Sequence, residues 1–335
     1  MLIVMKKDAT QVEIDQVSQS VIDQGFEAHP MPGAQCTAIC VLKNKGAVDA
    51  NMFSNLPGVR EVIRVTKPYK LASIETHPGP TVVEIRGEKI GGNNFTVMAG
   101  PCSVETEESM FRNADKLAGM GVKFFRAGAY KPRTGPYSFQ GLGEEGLRIL
   151  EKVRDRTGMG IVTEVMDVET LPLVAGSADI LQVGTRNMSN TSLLKQLGKI
   201  NKPVLLKRGM SASLEELLLA AEYILSGGNH NVMLCERGIR TFSNHSRNTL
   251  DVAAVPALRA LTHLPIIVDP SHAAGYTYMV PSLCLAGVAA GAHGLIVEAH
   301  DDAANAYSDG QQALHPEDME KLLVQFDMIH KAVNL

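Results

Sequence analysis

Much of what this 335-residue chain is not can be read from what it has little of. Cysteine occurs five times, as Cys36, Cys40, Cys102, Cys235 and Cys284. The number is odd and the chain is large, which argues against a disulfide-stapled secreted scaffold. Long apolar runs are missing: the longest are broken by glycine or charge and cannot span a bilayer. Met1-Leu2-Ile3-Val4-Met5 is apolar but too short for a secretory signal. Neither sign of charge dominates, since 32 Lys and Arg against 36 Asp and Glu leave a net charge of −4. Such a chain has no general attraction for nucleic acid or an anionic membrane. Any anionic ligand must be met by local groups of Lys and Arg. A reducing, cytoplasmic setting fits these absences.

Apolar residues nevertheless make up 45% of the chain, enough for a sizeable core. Residues 1–66 read as a small α+β unit. Leu2 to Met5 predicts a strand, and Thr10 with Glu13 is a capping-box pattern ahead of Ile14, Val17 and Val21 on one helix face. Further strands are expected near Ala38 to Leu42 and Val59 to Val65, with a short helix around Met52 and Phe53. The order β-α-β-β-α-β suggests a ferredoxin-like fold. Residues 67–80 hold three prolines and read as a linker, and Thr81 to Phe95 reads as a hairpin.

From Thr96 the rhythm changes. Eight short apolar runs alternate with amphipathic helices, among them one opened by a Ser213/Glu216 capping box. Near-continuous apolar strands are the mark of a parallel sheet covered by helices, and eight strand–helix repeats close a (β/α)8 barrel. An open doubly wound sheet is the alternative, but the chain lacks a G-x-G-x-x-G turn after the first of these strands. Residues 81–335 are therefore expected to form an α/β barrel with an N-terminal hairpin.

Almost every apolar run ends in a polar or reactive residue. In a parallel barrel these positions share one rim, where active sites of this fold are built. Arg126, Lys131, Arg133, Arg186, Lys207 and Arg237 form a cationic set. So many like charges around one mouth imply anionic groups between them, and the planar fork of Arg suits phosphate and carboxylate. Cys102, His272, Glu298 and Asp309 form a second set, a plausible shell for one divalent metal ion. These four would meet only if the first, seventh and eighth barrel strands adjoin, as closure requires.

Ala99-Gly100-Pro101-Cys102-Ser103, Arg126 through Thr134 and Leu205-Leu206-Lys207-Arg208-Gly209 resemble the 3-deoxy-7-phosphoheptulonate (DAHP) synthase family, as do Cys235 through Phe242, Asp269-Pro270-Ser271-His272 and Ser308 through Gln312. The resemblance is to the short subfamily related to 3-deoxy-octulosonate 8-phosphate synthase. The N-terminal unit resembles the ferredoxin-like regulatory domain of some members. Lys131-Pro132-Arg133-Thr134 is similar to the erythrose 4-phosphate site of the heptulosonate enzymes.

The resemblance implies a metal-dependent transferase that condenses phosphoenolpyruvate with erythrose 4-phosphate in aromatic amino acid biosynthesis. It implies one divalent ion (Mn, Fe, Zn or similar) on Cys102, His272, Glu298 and Asp309. Arg126 and Lys131 would meet the phosphoenolpyruvate carboxylate, and Arg186, Lys207 and Arg237 its phosphate. Arg133 and Thr134 would hold the erythrose phosphate. Glu164 would lie near phosphoenolpyruvate, and Lys131 would shuttle a proton. A homotetramer inhibited by an aromatic amino acid at the N-terminal domain is typical of the relatives. The alternatives are octulosonate synthesis, a Schiff-base aldolase using Lys207 or Lys131, and a non-catalytic amino-acid sensor.

Overall fold

A computed structural model describes residues 1–33, 36–44, 48–63, 67–77, 79–133 and 135–334. Contacts divide the chain into two units, Met1–Pro80 with Ala260–His263, and Thr81–Arg259 with Leu264–Leu335.

In the first unit, strands β1 (Leu2–Met5), β2 (Glu27–Pro32), β3 (Thr37–Leu42) and β4 (Val59–Ile63) form an antiparallel sheet in the order β2-β3-β1-β4. That order, with helices at Gln11–Asp23 and Asn51–Ser54, is the ferredoxin-like arrangement the element sequence predicts. The capping box forms: the Thr10 hydroxyl accepts from Glu13 N, and the Glu13 carboxylate accepts from Thr10 N at 2.7 Å. Ile14, Val17 and Val21 then pack on Ile3, Met5, Ile39 and Phe53.

The second unit opens with a hairpin of β5 (Val83–Ile85) and β6 (Glu88–Ile90). Eight parallel strands follow and close on themselves. They are β7 (Thr96–Gly100), β8 (Phe124–Arg126), β9 (Gly160–Val165), β10 (Ile180–Val183), β11 (Val204–Lys207), β12 (Val232–Glu236), β13 (Ile266–Val268) and β14 (Gly294–Glu298). Closure pairs β14 with β7, Glu298 standing opposite Gly100. Every residue of these strands is buried, which is why each reads as an unbroken apolar run. Val83, Ile85 and Ile90 of the hairpin join Met98, Phe124, Val162, Ile180, Leu205, Met233, Ile267 and Ile296 in one cluster. Most of these strand residues sit in the first half of their strands, so the hairpin plugs the N-terminal end of the barrel. The other end is left for the polar strand termini. The outer helices follow the sequence pattern: the Ser213/Glu216 capping box forms, and Met319, Leu322 and Phe326 of the last helix are buried. Leu323, next to Leu322, is only half-buried.

His293 shows how a buried ring pins a strand. Its Nδ1 accepts from Ile266 N at 3.0 Å, where β13 begins. Burial, with Arg259 and His330 nearby, lowers its pKa from 6.5 to about 4. A depressed imidazole stabilises the fold above its unfolded pKa, and that contribution is lost as pH falls toward the folded value. Acidification from pH 7 to 4 is therefore expected to remove up to about 3 kcal/mol through this one residue. Urea midpoints of the wild type and a His293→Gln variant, compared at both pH values, check it. Parallel pH dependences would exclude the assignment.

Candidate functional site

The polar residues at the C-terminal ends of the strands converge on a cleft of about 280 Å³. Cys102 follows β7 after Gly100 and Pro101. A side chain at position 100 would overlap the carbonyl oxygen of Arg126, so only glycine lets the chain turn there against β8. His272 lies in the short helix Pro270–Ala274 after β13, whose first turn is capped by Asp269 Oδ1 accepting from His272 N at 3.0 Å. Glu298 ends β14, and Asp309 lies in the loop beyond it.

Cys102, His272, Glu298 and Asp309 each offer one donor atom, and these four atoms lie within 4.8 Å of one another. Cys102 Sγ is 3.3 Å from Asp309 Oδ2, and His272 Nε2 is 3.3 Å from Glu298 Oε1. His272 Nδ1 lies 2.8 Å from Asp269 Oδ2, within ion-pair range but off the line of a good hydrogen bond. Asp269 thus orients the ring from behind and turns Nε2 toward the cluster. Burial keeps His272 on the neutral side against the pull of Asp269 and Glu298. Burial opposes ionisation of Glu298, but His272 and Arg126 outweigh it and hold the carboxyl below its usual range. Asp309 is held low in the same way, burial being overcome by Arg247 and His272. Burial, with Glu298, pushes the Cys102 thiol up to about 11, against Lys131 and Arg126. A neutral imidazole, two ionised carboxylates and a thiol that a cation would deprotonate form a donor set that fits one divalent metal.

Seven Lys and Arg side chains among the described residues line the cleft: Arg126, Lys131, Arg133, Arg186, Lys207, Arg237 and Arg247. Several are held by protein groups. Arg126 Nη1 donates to Glu298 Oε1 at 2.8 Å and to Pro101 O at 3.2 Å. Burial works against its charge, but Glu298 and Cys102 more than compensate and raise its pKa. Lys131 Nζ donates to Cys102 O at 2.9 Å and to Cys102 Sγ at 3.0 Å. Arg133 Nε donates to Phe139 O at 3.1 Å, and Lys207 Nζ pairs with Asp269. Arg237 differs. It is 5% exposed, burial lowers its pKa, and its Nη1 is buried without a hydrogen-bond partner among the described residues. A buried donor left unmade costs about 1–3 kcal/mol, and an anion in the cleft would satisfy it. Glu164 also faces the cleft; Gln182 Nε2 donates to its Oε2 at 3.2 Å, and a Cβ at Gly184 would overlap its carboxylate.

Against known proteins, residues 74–334 match the model of the DAHP synthetase I family, and residues 1–67 that of the DAHP synthase ferredoxin-like domain. The chain belongs to the DAHP synthetase I family. A phospho-2-dehydro-3-deoxyheptonate aldolase of Thermotoga maritima is 47% identical over 335 residues, covering 100% of this chain and 99% of that one. A 2-dehydro-3-deoxyphosphooctonate aldolase of Acidithiobacillus ferrooxidans is 33% identical over 258 residues, covering 71% of this chain and 91% of the relative. A crystal structure of the DAHP synthase of Thermotoga maritima matches with a TM-score of 0.79 at 46% identity, covering 100% of this chain and 98% of that one. A truncated form of the heptulosonate 7-phosphate synthase from the same organism matches with a TM-score of 0.74 at 47% identity, covering 79% of this chain and 97% of that one. The heptulosonate resemblance thus spans the whole chain, and the octulosonate one only part of it.

As a DAHP synthase-family enzyme, the chain brings the expected site residues to one mouth, Cys102 and Glu298 reaching it through the cluster they share with His272 and Asp309, except that Thr134 lies outside the described residues. Two of the polar strand ends turn away from it. Arg208 pairs with Glu236 and Asp251, each at 2.9 Å, and Glu236 Oε1 accepts from Gly238 N at 2.7 Å. This buried set braces the loop behind Arg237 and is absent from the cleft lining. Sequence reasoning missed Arg247. It lies in the loop between β12 and the helix Ala254–Leu261, far from any strand end, and only folding shows that this loop returns to the cleft. It also missed the bridging part of Asp269, although the Asp-Pro-Ser-His spacing places its carboxylate at a helix start beside the imidazole.

Proposed function

We propose that the chain condenses phosphoenolpyruvate with D-erythrose 4-phosphate and water, giving 3-deoxy-D-arabino-heptulosonate 7-phosphate and phosphate, the first step of the shikimate pathway. The observation that carries this reading is the placement of a four-donor cluster beside a cleft ringed by cations, one of them bearing a buried guanidinium N–H with no acceptor among the described residues.

Cys102, His272, Glu298 and Asp309 would hold one divalent ion (Mn, Fe, Zn or similar), whose chemistry is Lewis acidity toward the aldehyde oxygen. Arg126 and Lys131 take the carboxylate of phosphoenolpyruvate, and Arg186, Lys207 and Arg237 its phosphate. Arg133 and Thr134 hold the phosphate of the aldehyde. This fixes carbon 3 of phosphoenolpyruvate against the aldehyde carbon and supplies the proximity that solution lacks. The new carbon–carbon bond leaves positive character at carbon 2. Glu164 orients the water that adds there, and the carbon–oxygen bond to phosphate then breaks. Lys131 Nζ delivers the proton that the former aldehyde oxygen acquires. By the family resemblance, the ferredoxin-like unit would carry feedback control by an aromatic amino acid, and the chain would assemble as a homotetramer.

The experiment is a turnover assay pairing phosphoenolpyruvate with erythrose 4-phosphate or with arabinose 5-phosphate, each with and without a chelator. Activity with the four-carbon aldehyde that disappears on chelation and returns with added metal is expected. Preference for the five-carbon sugar, or full activity in chelator, would overturn the substrate and metal assignments respectively. Borohydride inactivation in the presence of substrate would instead support a lysine Schiff base.

A further inference from the structure

Gln312 closes the motif Ser308 through Gln312, and none of the roles above accounts for it. It is wholly buried, in the single 3₁₀ turn Gly310–Gln312 that follows Asp309. Its Nε2 donates to Glu298 Oε2 at 2.7 Å. Its backbone N–H donates to Asp309 O at 3.2 Å. Its Oε1 accepts from Arg247 Nη1 at 3.1 Å, and the same Nη1 lies 3.5 Å from Asp309 Oδ1. One residue therefore touches both carboxylate members of the cluster, and Arg247 completes the ring from the cleft side.

The chemistry of the ring admits few replacements. Glu298 needs a donor from position 312 and Arg247 needs an acceptor, and an amide supplies both in one fixed orientation. Glutamate would set a second carboxylate against Glu298. The bond to Oε2 also decides how Glu298 faces the cluster, since its other oxygen, Oε1, is the one beside His272 Nε2 and Arg126. Asp309 needs support of another kind. Its φ is 52°, left-handed backbone that is uncommon outside glycine although aspartate tolerates it better than most residues. Gly310 presses on Ala303, where any Cβ would overlap the carbonyl oxygen, and the Gln312 N–H and Arg247 hold the rest.

We infer that Gln312 is a positioning residue for the metal site, orienting Glu298 and Asp309 together, with Arg247 holding its amide. The inference rests on the reading of the four-donor cluster as a metal site. Groups that orient metal ligands from behind typically set affinity by about 10–100-fold.

The test titrates cobalt(II) into metal-stripped full-length wild type, Gln312→Met and Gln312→Asn, following the near-ultraviolet thiolate-to-cobalt band and the dissociation constant. Methionine keeps the length and loses the donor; asparagine keeps the amide and loses the reach. Both variants are expected to bind cobalt about 10–100-fold more weakly. At saturation their thiolate band should be altered, while binding of inorganic phosphate to the metal-stripped protein is unchanged. Thermal melts and far-ultraviolet circular dichroism of the stripped proteins establish which variants fold. A folded variant with wild-type affinity and band overturns the positioning role. A wild type that takes up no cobalt overturns the metal reading beneath it.

Discussion

Replacing Cys102 by alanine is expected to lower turnover at least about 1000-fold, because Lewis acidity at a carbonyl oxygen contributes several kcal/mol and each 1.36 kcal/mol is a factor of ten. Metal content and activity should fall together. The thiol sits among three other donors, and burial with Glu298 holds it protonated at a pKa of about 11 in the absence of a cation. A divalent ion would reverse that preference by bonding the thiolate directly. Alanine leaves an imidazole and two carboxylates, a harder and weaker set. The fold should survive, since the lost contacts of Cys102 are those of Sγ with Lys131 and Asp309 rather than a large apolar side chain. Elemental analysis after dialysis, kcat and circular dichroism on one preparation check all three points. An active Cys102→Ala protein without metal would defeat the mechanism.

Lys131→Met is expected to cost about 10²–10⁴ in kcat, the range for loss of a positioned acid–base group. Lys131 is 7% exposed and reaches the cluster with its Nζ 2.9 Å from Cys102 O and 3.0 Å from Cys102 Sγ. Gly128 leaves its stem a path to that position, since a Cβ there would lie 3.0 Å from Lys131 Cδ and 3.3 Å from its Nζ. Methionine follows the same path without the proton. Because Lys131 is not one of the four clustered donors, bound metal should be retained. That separates this variant from Cys102→Ala, which loses both. The readout is kcat against the KM for phosphoenolpyruvate, with metal content measured alongside. A kcat within tenfold of wild type would remove Lys131 from the proton transfer and leave it as a carboxylate-binding charge.

These two residues were legible for different reasons. Lys131 stands in Lys131-Pro132-Arg133-Thr134, where two cations and a hydroxyl fall within four consecutive positions of the sequence. Cys102 carries no local signal beyond Gly100-Pro101, and it gains meaning only beside His272, Glu298 and Asp309, up to 207 positions away. The barrel was legible because strands buried on both faces read as apolar runs and because their polar ends fall on one rim. That same rule overreached at Arg208 and Glu236, which neutralise one another behind the site. Strand-end polarity says which rim a residue occupies; whether it turns to the mouth or to a neighbouring loop depends on partners such as Asp251, which the strand pattern does not contain.

By itself the order of residues determined the secondary-structure rhythm, the ferredoxin-like unit, the eight-stranded barrel and the kind of chemistry its rim could support. Periodicity, capping and apolar runs are local properties of a chain, so they are written along it. Only the tertiary structure decided that four donors share one point, that Arg237 carries a buried N–H without an acceptor among the described residues, and that Arg247 and Gln312 join two carboxylates into one frame. Those are distances between residues remote in sequence, and they exist only once β14 has paired with β7 and the barrel has closed.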